Sequence, residues 1–337
     1  MNKFKYLMIG PCKNRKDAHK TGGVIILFEN ILHFSKKHNY EYIIVDTNKS
    51  NYSNKLIAYI FILYSITRNI SKVSHLSLHG TAKDYFMIAP FVVLMGKLSH
   101  KHVSLRKFAG NFDVIYEHTS FLKKFIIRKT LENASVNFFE TKYLVKYFKE
   151  LNKATYWFPN VRDENDFLTN EKYEKKFIFV GAISKEKGIE ILCQASNLLS
   201  SEYQIDIYGT LSDDFTVEYF KNYNVQYKGS LPAENVIEIM SSYNVLVLPS
   251  FREGYPGVII EAFSVGMPVI ASKLPGIKEM VEQESGMLID IGDPKQLKEA
   301  IEAIDQETYM IGRRAAIKQF EKFDSNIQTN LFFERLK

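Results

Sequence analysis

Two carboxylates, Glu253 and Glu261, stand eight positions apart around a Gly-Tyr-Pro-Gly turn in "PSFREGYPGVIIEAFSVGMPVIAS" (249–272). The apolar run 244–248 before them reads as a strand ending at Pro249, and a helix is expected to open near Gly257. Glu253 then lies in the loop over the helix N-terminus, with Glu261 about one turn inside. A helix N-terminus offers free N–H groups and partial positive charge, so it favours an anion such as a phosphate. Gly254 and Gly257 let a ligand approach the backbone closely. Carboxylates repel phosphates but accept hydrogen bonds from hydroxyl groups on either side of them.

A ligand with hydroxyls flanking a diphosphate has the layout of a nucleotide-sugar. Other readings stay open on spacing alone. Glu261 can be a solvent-facing helix residue, and Glu253 can act only on the helix dipole. A metal-binding pair is a third reading, although no Asp-x-Asp motif accompanies it. A second cluster, "FIFVGAISKEKGIEIL" (177–192), reads as a strand, a turn at Gly181 and a basic helix start. There Lys187, beside Gly188, can set an ammonium against a phosphate, or it can be a solvated lysine. Neither G-x-x-x-x-G-K-[ST] nor G-x-G-x-x-G occurs, which argues against P-loop ATPases and NAD-dependent dehydrogenases.

The elements that must position these residues are legible as apolar runs alternating with longer amphipathic stretches. Strands are expected at 4–9, 41–46, 75–79, 102–106, 135–140 and 155–158, then at 176–180, 203–208, 225–228, 244–248, 268–271 and 286–290. This alternation predicts an α/β protein with two doubly wound parallel sheets. The polar segment 159–176 is the expected linker. The expected domains are 1–160, 161–324 and a terminal helix, 325–337, packing back toward the N-terminal domain. Ligands of such sheets bind in the loops after the strands.

Charge divides the same way. Residues 1–160 carry 25 Lys and Arg against 10 Asp and Glu, a net of +15, and residues 161–337 have a net of −9. A basic half points to an anionic partner, a membrane surface or phosphorylated acceptor, or it serves solubility alone. No nucleic-acid motif accompanies it. The apolar runs 56–66 and 86–96 are about half the roughly 20 residues a spanning helix needs, and are expected to be buried elements. In 121–134, Phe121, Leu122, Phe125 and Ile126 fall near one helical face, with Lys123, Lys124, Arg128 and Lys129 mostly elsewhere. Such a helix can rest on anionic lipid or bury its apolar side. Two cysteines, Cys12 and Cys193, fit a reducing compartment. The expected location is cytoplasmic, either free or peripheral on the cytoplasmic face of the membrane.

Taken together, the two clusters resemble the retaining GT-B glycosyltransferases of the family-four, or group 1, class. The resemblance runs from about 177 to 305 through "FVGAISKEKGIEIL", "IDIYG", "VQYKGSLP", "NVLVLPSFREGYPGVIIEAFSVGMPVIAS" and "GMLIDIGDPKQLKEAI". Glu253 and Glu261 match the family's E-x7-E pair, "FPNVRDENDF" (158–167) is similar to its hinge, and "TGGV" (21–24) to its N-terminal glycine loop. The resemblance implies two Rossmann-like domains facing a central cleft. It places Glu253 on the donor sugar, Glu261 on the ribose and Lys187 on the diphosphate. Gly181, Gly254, Tyr255, Gly257 and Val258 line the donor pocket, with base contacts near Gly209. No metal or other cofactor is expected.

Two departures accompany the resemblance. Ala182 stands where the family often has a phosphate-binding arginine, with Lys185 or Arg252 as candidate substitutes. The N-terminal region 103–112 lacks the family's histidine, leaving Gly22, Gly23, His79, Arg106, Lys107 and His118 as acceptor or reaction-centre candidates. The implied activity is transfer of a sugar from a nucleotide-sugar, UDP-linked before GDP-linked, to a glycan or lipid-linked acceptor with retained configuration, in surface polysaccharide biosynthesis. Rival readings are a nucleotide-sugar 2-epimerase and an inactive binding subunit of the same fold.

Overall fold

A strand forms at each of the twelve apolar runs, to within a residue or two of its expected bounds: β1 Lys5–Gly10, β2 Glu41–Asp46, β3 His75–Gly80, β4 His102–Lys107, β5 Val136–Phe139, β6 Thr155–Trp157, β7 Lys176–Val180, β8 Gln204–Tyr208, β9 Gln226–Tyr227, β10 Val245–Leu248, β11 Val269–Ser272 and β12 Gly286–Ile289. The structure, a computed structural model, describes residues 5–15, 22–108, 110–282 and 284–336. The chain forms two units, Met1–Val161 with Ser325–Lys337, and Arg162–Asp324.

In the first unit the sheet order is β2-β1-β3-β4-β5-β6, parallel throughout. Successive residues of a strand point to opposite faces, so β1 feeds two cores. Leu7 and Ile9 join Leu76, Leu78, Leu105 and Phe139 on one side. Tyr6 and Met8 join Phe28, Phe138, Phe332 and Phe333 on the other. The last two come from the C-terminal helix Ser325–Arg335, which packs beside helix Gly23–Lys37.

The second sheet runs β12-β11-β10-β7-β8-β9, also parallel. Helices cover both faces, so its central strands are apolar without alternation: all four residues of β10 and of β11 are buried. The strand order reverses between β7 and β10. A ligand of an open α/β sheet sits beyond the strand ends at such a point.

One expectation is corrected. The run 86–96 is largely buried, with Ile88, Ala89, Val92, Val93 and Gly96 in the core, but the run 56–66 is not a buried element. Helix Lys55–Asn69 buries only Ala58, Ile62 and Ile66, and leaves Leu56 71% exposed with Ile60, Phe61 and Tyr64 also exposed. Helix Ala89–Leu98 exposes Leu94 and Leu98. Helix Phe121–Asn133 buries Ile127, Thr130 and Leu131, so Phe121, at 86% exposure, Leu122 and Phe125 face water. The 89–98 helix packs against both of the others. No described helix is long and apolar enough to cross a membrane.

Candidate functional site

β7 ends in the turn Gly181–Ser184, followed by a single 3-10 turn over Lys185–Lys187 and helix Ile189–Ser196. Gly188 joins the two in a left-handed conformation, φ +71°, and a Cβ there would fall 1.9 Å from the Pro249 carbonyl oxygen. Only glycine permits both the conformation and the close approach. Pro249 begins the loop after β10, and the Phe251 N–H donates to the Glu186 carbonyl across the same junction (2.8 Å). The two loops that flank the strand-order reversal are thus fastened backbone to backbone.

That fastening sets Lys187 against Glu253. Lys187 Nζ lies 2.7 Å from Glu253 Oε1, and Ser250 Oγ donates to the same oxygen at 2.8 Å. The carboxylate side chain is 8% exposed and the lysine 29%. At that depth an ion pair is a matched set: removing one partner leaves an uncompensated charge. Helix Gly257–Ser264 opens after Pro256, as the sequence predicts, with Gly254 half-buried before it and Tyr255 packed near Phe323. Val258 lies in its first turn. Glu261, one turn in, receives Arg162 Nε at 2.8 Å and Nη2 at 2.7 Å, both on Oε1. Gly181 and Gly209 meet at the ends of β7 and β8, the Gly181 N–H donating to Tyr208 and the Gly209 N–H to Gly229.

The structure therefore gathers Lys187, Ser250, Glu253, Gly257, Glu261 and Arg162 around one loop–helix junction. Ser250 and Arg162 are absent from the sequence reading. Arg162 is the only basic residue between Asn160 and Glu171, a signal available but read as linker polarity. Lys185 and Arg252 stand apart: Lys185 approaches Asp214 at 3.9 Å, and Arg252 is exposed. A cavity of about 810 Å³ in the same unit lies at the other end of the strands, lined by Val245, Val269 and Gly286, and shares no residue with this junction.

In the first unit the reaction-centre candidates are placed differently. Gly22 and Gly23 are exposed at the start of helix Gly23–Lys37, while Thr21 of the same motif lies outside the described residues. His79 is not at an open strand end; it is fully buried among Phe28, Phe108 and Phe332, with Nε2 2.9 Å from Ser77 Oγ. Burial, with the Arg106 charge beside it, holds its imidazole well below the usual histidine value, so it is neutral.

Arg106 and Lys107 are corrected for the same reason. The Arg106 guanidinium lies 3.9 Å over the Phe158 ring and donates to the Pro159 carbonyl; burial lowers its pKa to about 10. The Lys107 ammonium donates to the Phe108 carbonyl beside the Phe112 ring, and burial lowers it to about 8. Both are 1% exposed, closed off from a phosphate by the packing around the strand ends. His118 is an exposed C-terminal cap whose Nδ1 meets the Val114 carbonyl at 2.8 Å, a helix-end contact rather than a strand-end one.

With this geometry in place, the likeness to known proteins is specific. Residues 161–322 match the family of glycosyl transferases group 1. The chain is 25% identical over 305 residues to the uncharacterized glycosyltransferase MJ1178 of Methanocaldococcus jannaschii, covering 85% of this chain and 86% of that protein. It is 30% identical over 181 residues to the capsular polysaccharide biosynthesis glycosyltransferase CapM of Staphylococcus aureus, 48% of each. Of six further curated relatives it likewise spans about half of the length or less. Among solved structures, Anabaena HepE in complex with UDP superposes with a TM-score of 0.75 at 14% identity, covering 99% of both chains. The fold is accordingly GT-B, and the part of the chain that matches the glycosyl transferases group 1 family is residues 161–322.

Proposed function

We propose that this protein transfers a sugar from a nucleotide-sugar, UDP-linked in preference to GDP-linked, to a glycan or lipid-linked acceptor, with retention of anomeric configuration, in surface polysaccharide biosynthesis. The observation that carries the reading is the junction itself: two carboxylates, a lysine and a helix N-terminus at the strand-order reversal of the second sheet. HepE, of the same fold, has been solved with UDP and with UDP-glucose, and CapM is named for capsular polysaccharide biosynthesis. The diphosphate would lie at the start of helix Gly257–Ser264 with Lys187 on it, Glu253 would accept from the donor sugar and Glu261 from the ribose. An oxocarbenium-like transition state needs its departing diphosphate stabilised more than it needs a protein base. No metal is assigned to that task.

Calorimetric titration with UDP, GDP and ADP in EDTA tests the donor site. One nucleotide is expected to bind, and Glu261→Ala to weaken it about tenfold, the low end for charge-assisted hydrogen bonds because the substitution also releases Arg162. Absence of binding by folded protein rejects the reading in favour of an inactive subunit. Product analysis with donor and acceptor then separates a glycoside from a free isomerised sugar, the 2-epimerase outcome.

On the acceptor side, the exposed apolar residues of helices 55–69, 89–98 and 121–133 support an anionic membrane surface as partner. Those helices carry seven basic residues, Lys55, Arg68, Lys97, Lys123, Lys124, Arg128 and Lys129, against one acid, Glu132. Apolar side chains can enter the headgroup region while each nearby lysine adds about 1 kcal/mol on an anionic surface. Cosedimentation with phosphatidylglycerol vesicles is expected, reduced several-fold in Phe121→Ser/Leu122→Ser and by added salt. Equal recovery with phosphatidylcholine vesicles rejects the electrostatic part of this reading.

A further inference from the structure

Arg162 occupies an electrostatically adverse position. Its guanidinium lies against the first residue of helix Gly257–Ser264, so close that a Cβ on Gly257 would fall 2.3 Å from Nη2 and 3.2 Å from Cζ. That end of the helix carries partial positive charge and unshared N–H groups, which repel a cation and attract an anion. Glu261 holds the guanidinium there, taking Nε and Nη2 on a single oxygen. Lys187 and Glu253 repeat the pattern, again on one carboxylate oxygen. Each carboxylate of the pair thus carries one cation, and both cations flank the same junction.

We propose that Arg162 is a diphosphate-binding residue stored on Glu261: when a nucleoside diphosphate enters, the guanidinium passes to a phosphate and Glu261 passes to the ribose hydroxyls. This rests on the donor-site reading above and adds to it. The charges match, since the two phosphates of a sugar nucleotide carry one negative charge each and meet two cations, Lys187 and Arg162. The carboxylates then turn to hydroxyls, which they can accept from. Arg162 is better placed for this than Lys185, drawn toward Asp214, and its planar fork suits phosphate oxygens. Its backbone is fixed, with the N–H donating to Phe323 at 3.1 Å and a parallel bridge to Asp324, so the exchange is one of side-chain rotation.

The exchange has a signature. A nucleoside without phosphates must compete with Arg162 for Glu261, whereas a diphosphate recruits it. The intact chain is titrated with UDP, GDP and ADP, and then with the parent nucleoside of whichever binds, the weaker nucleoside by ligand-observed NMR. Arg162→Ala is expected to weaken the diphosphate about 10- to 100-fold while nucleoside binding holds or tightens. Arg162→Lys, which keeps the charge without the fork, is expected to fall between, and it carries the test if the alanine variant fails to fold. Equal losses for diphosphate and nucleoside overturn the proposal, making Arg162 a support for Glu261 alone; unchanged binding overturns it as well. If the wild-type protein binds no nucleoside diphosphate, the donor-site reading fails and takes this proposal with it. If it binds but the ratio of the two affinities is unchanged in the variants, only this proposal fails.

Discussion

Glu253→Gln is expected to lower turnover about 100-fold or more while leaving nucleoside diphosphate affinity unchanged or stronger. The substitution preserves size and the hydrogen bond from Ser250, and removes only charge. That charge holds Lys187 at 2.7 Å, so the ammonium must leave a partner before it can serve a phosphate. Neutralising Glu253 frees the lysine and favours the diphosphate. The transition state, in contrast, loses a carboxylate where positive charge grows on the donor sugar. Removing one such preorganised electrostatic contact typically costs about 2.7–4 kcal/mol, or 100- to 1,000-fold in rate. Interactions made only in the transition state lower turnover without weakening ground-state binding, which is the split expected here. Lys187→Ala serves as the contrast, since it should weaken nucleotide binding and turnover together. Release of nucleoside diphosphate from the sugar nucleotide, measured beside calorimetric affinity, checks both. Parallel loss of affinity and rate in Glu253→Gln would remove Glu253 from the transition state.

These expectations rest on a site that was partly legible in the sequence. Glu253, Glu261 and Lys187 could be read because each lies within a few residues of a strand end, where local pattern fixes geometry. Arg162 could not, because it lies 99 positions from Glu261 and no local period connects them. The strands were legible for a related reason: β7, β8, β10 and β11 are covered on both faces, and an apolar run of that length has few other places to go. Helix faces were harder. In 121–133 the aromatic residues mark one face, yet the residues that enter the core are Ile127, Thr130 and Leu131, because the neighbouring 89–98 helix, not the local pattern, sets the contact. His79 failed for want of the same information. Nothing near it in sequence announces Phe332, some 250 positions away, whose ring lies 5.8 Å from the imidazole.

Phe332→Ala is expected to cost the first unit about 3–5 kcal/mol, the range for truncating a buried aromatic side chain. Phe332 is 1% exposed and packs on Phe138 at 4.6 Å, Phe158 at 4.9 Å and Phe333 at 5.2 Å between ring centroids. It comes from the last helix, after the chain has traversed the entire second unit, so it supplies the first core with contacts of very high sequence separation. Against a typical net stability of about 5–15 kcal/mol, that loss is a large fraction. Unfolding should therefore separate into two transitions, the first unit melting early while Arg162–Asp324 keeps its own core. The same packing predicts acid sensitivity. His79 is held neutral, and burial lowers His75 to about 3, with the nearby His102 charge adding to the effect. The unfolded chain takes up these protons first, near pH 6.5, so stability of the first unit is full above that value and falls as pH drops toward 3, by up to about 1.4 kcal/mol per pH unit for each histidine. In Phe332→Ala the vacated space lets water reach His79 and raises its pKa toward 6.5, so the acid slope should flatten although stability at neutral pH is lower. Denaturant titrations at pH 7 and pH 5 on both proteins measure the two effects separately. A variant that is destabilised with an unaltered slope would mean that His79 stays dry, shielded by Phe28 and Phe108 alone.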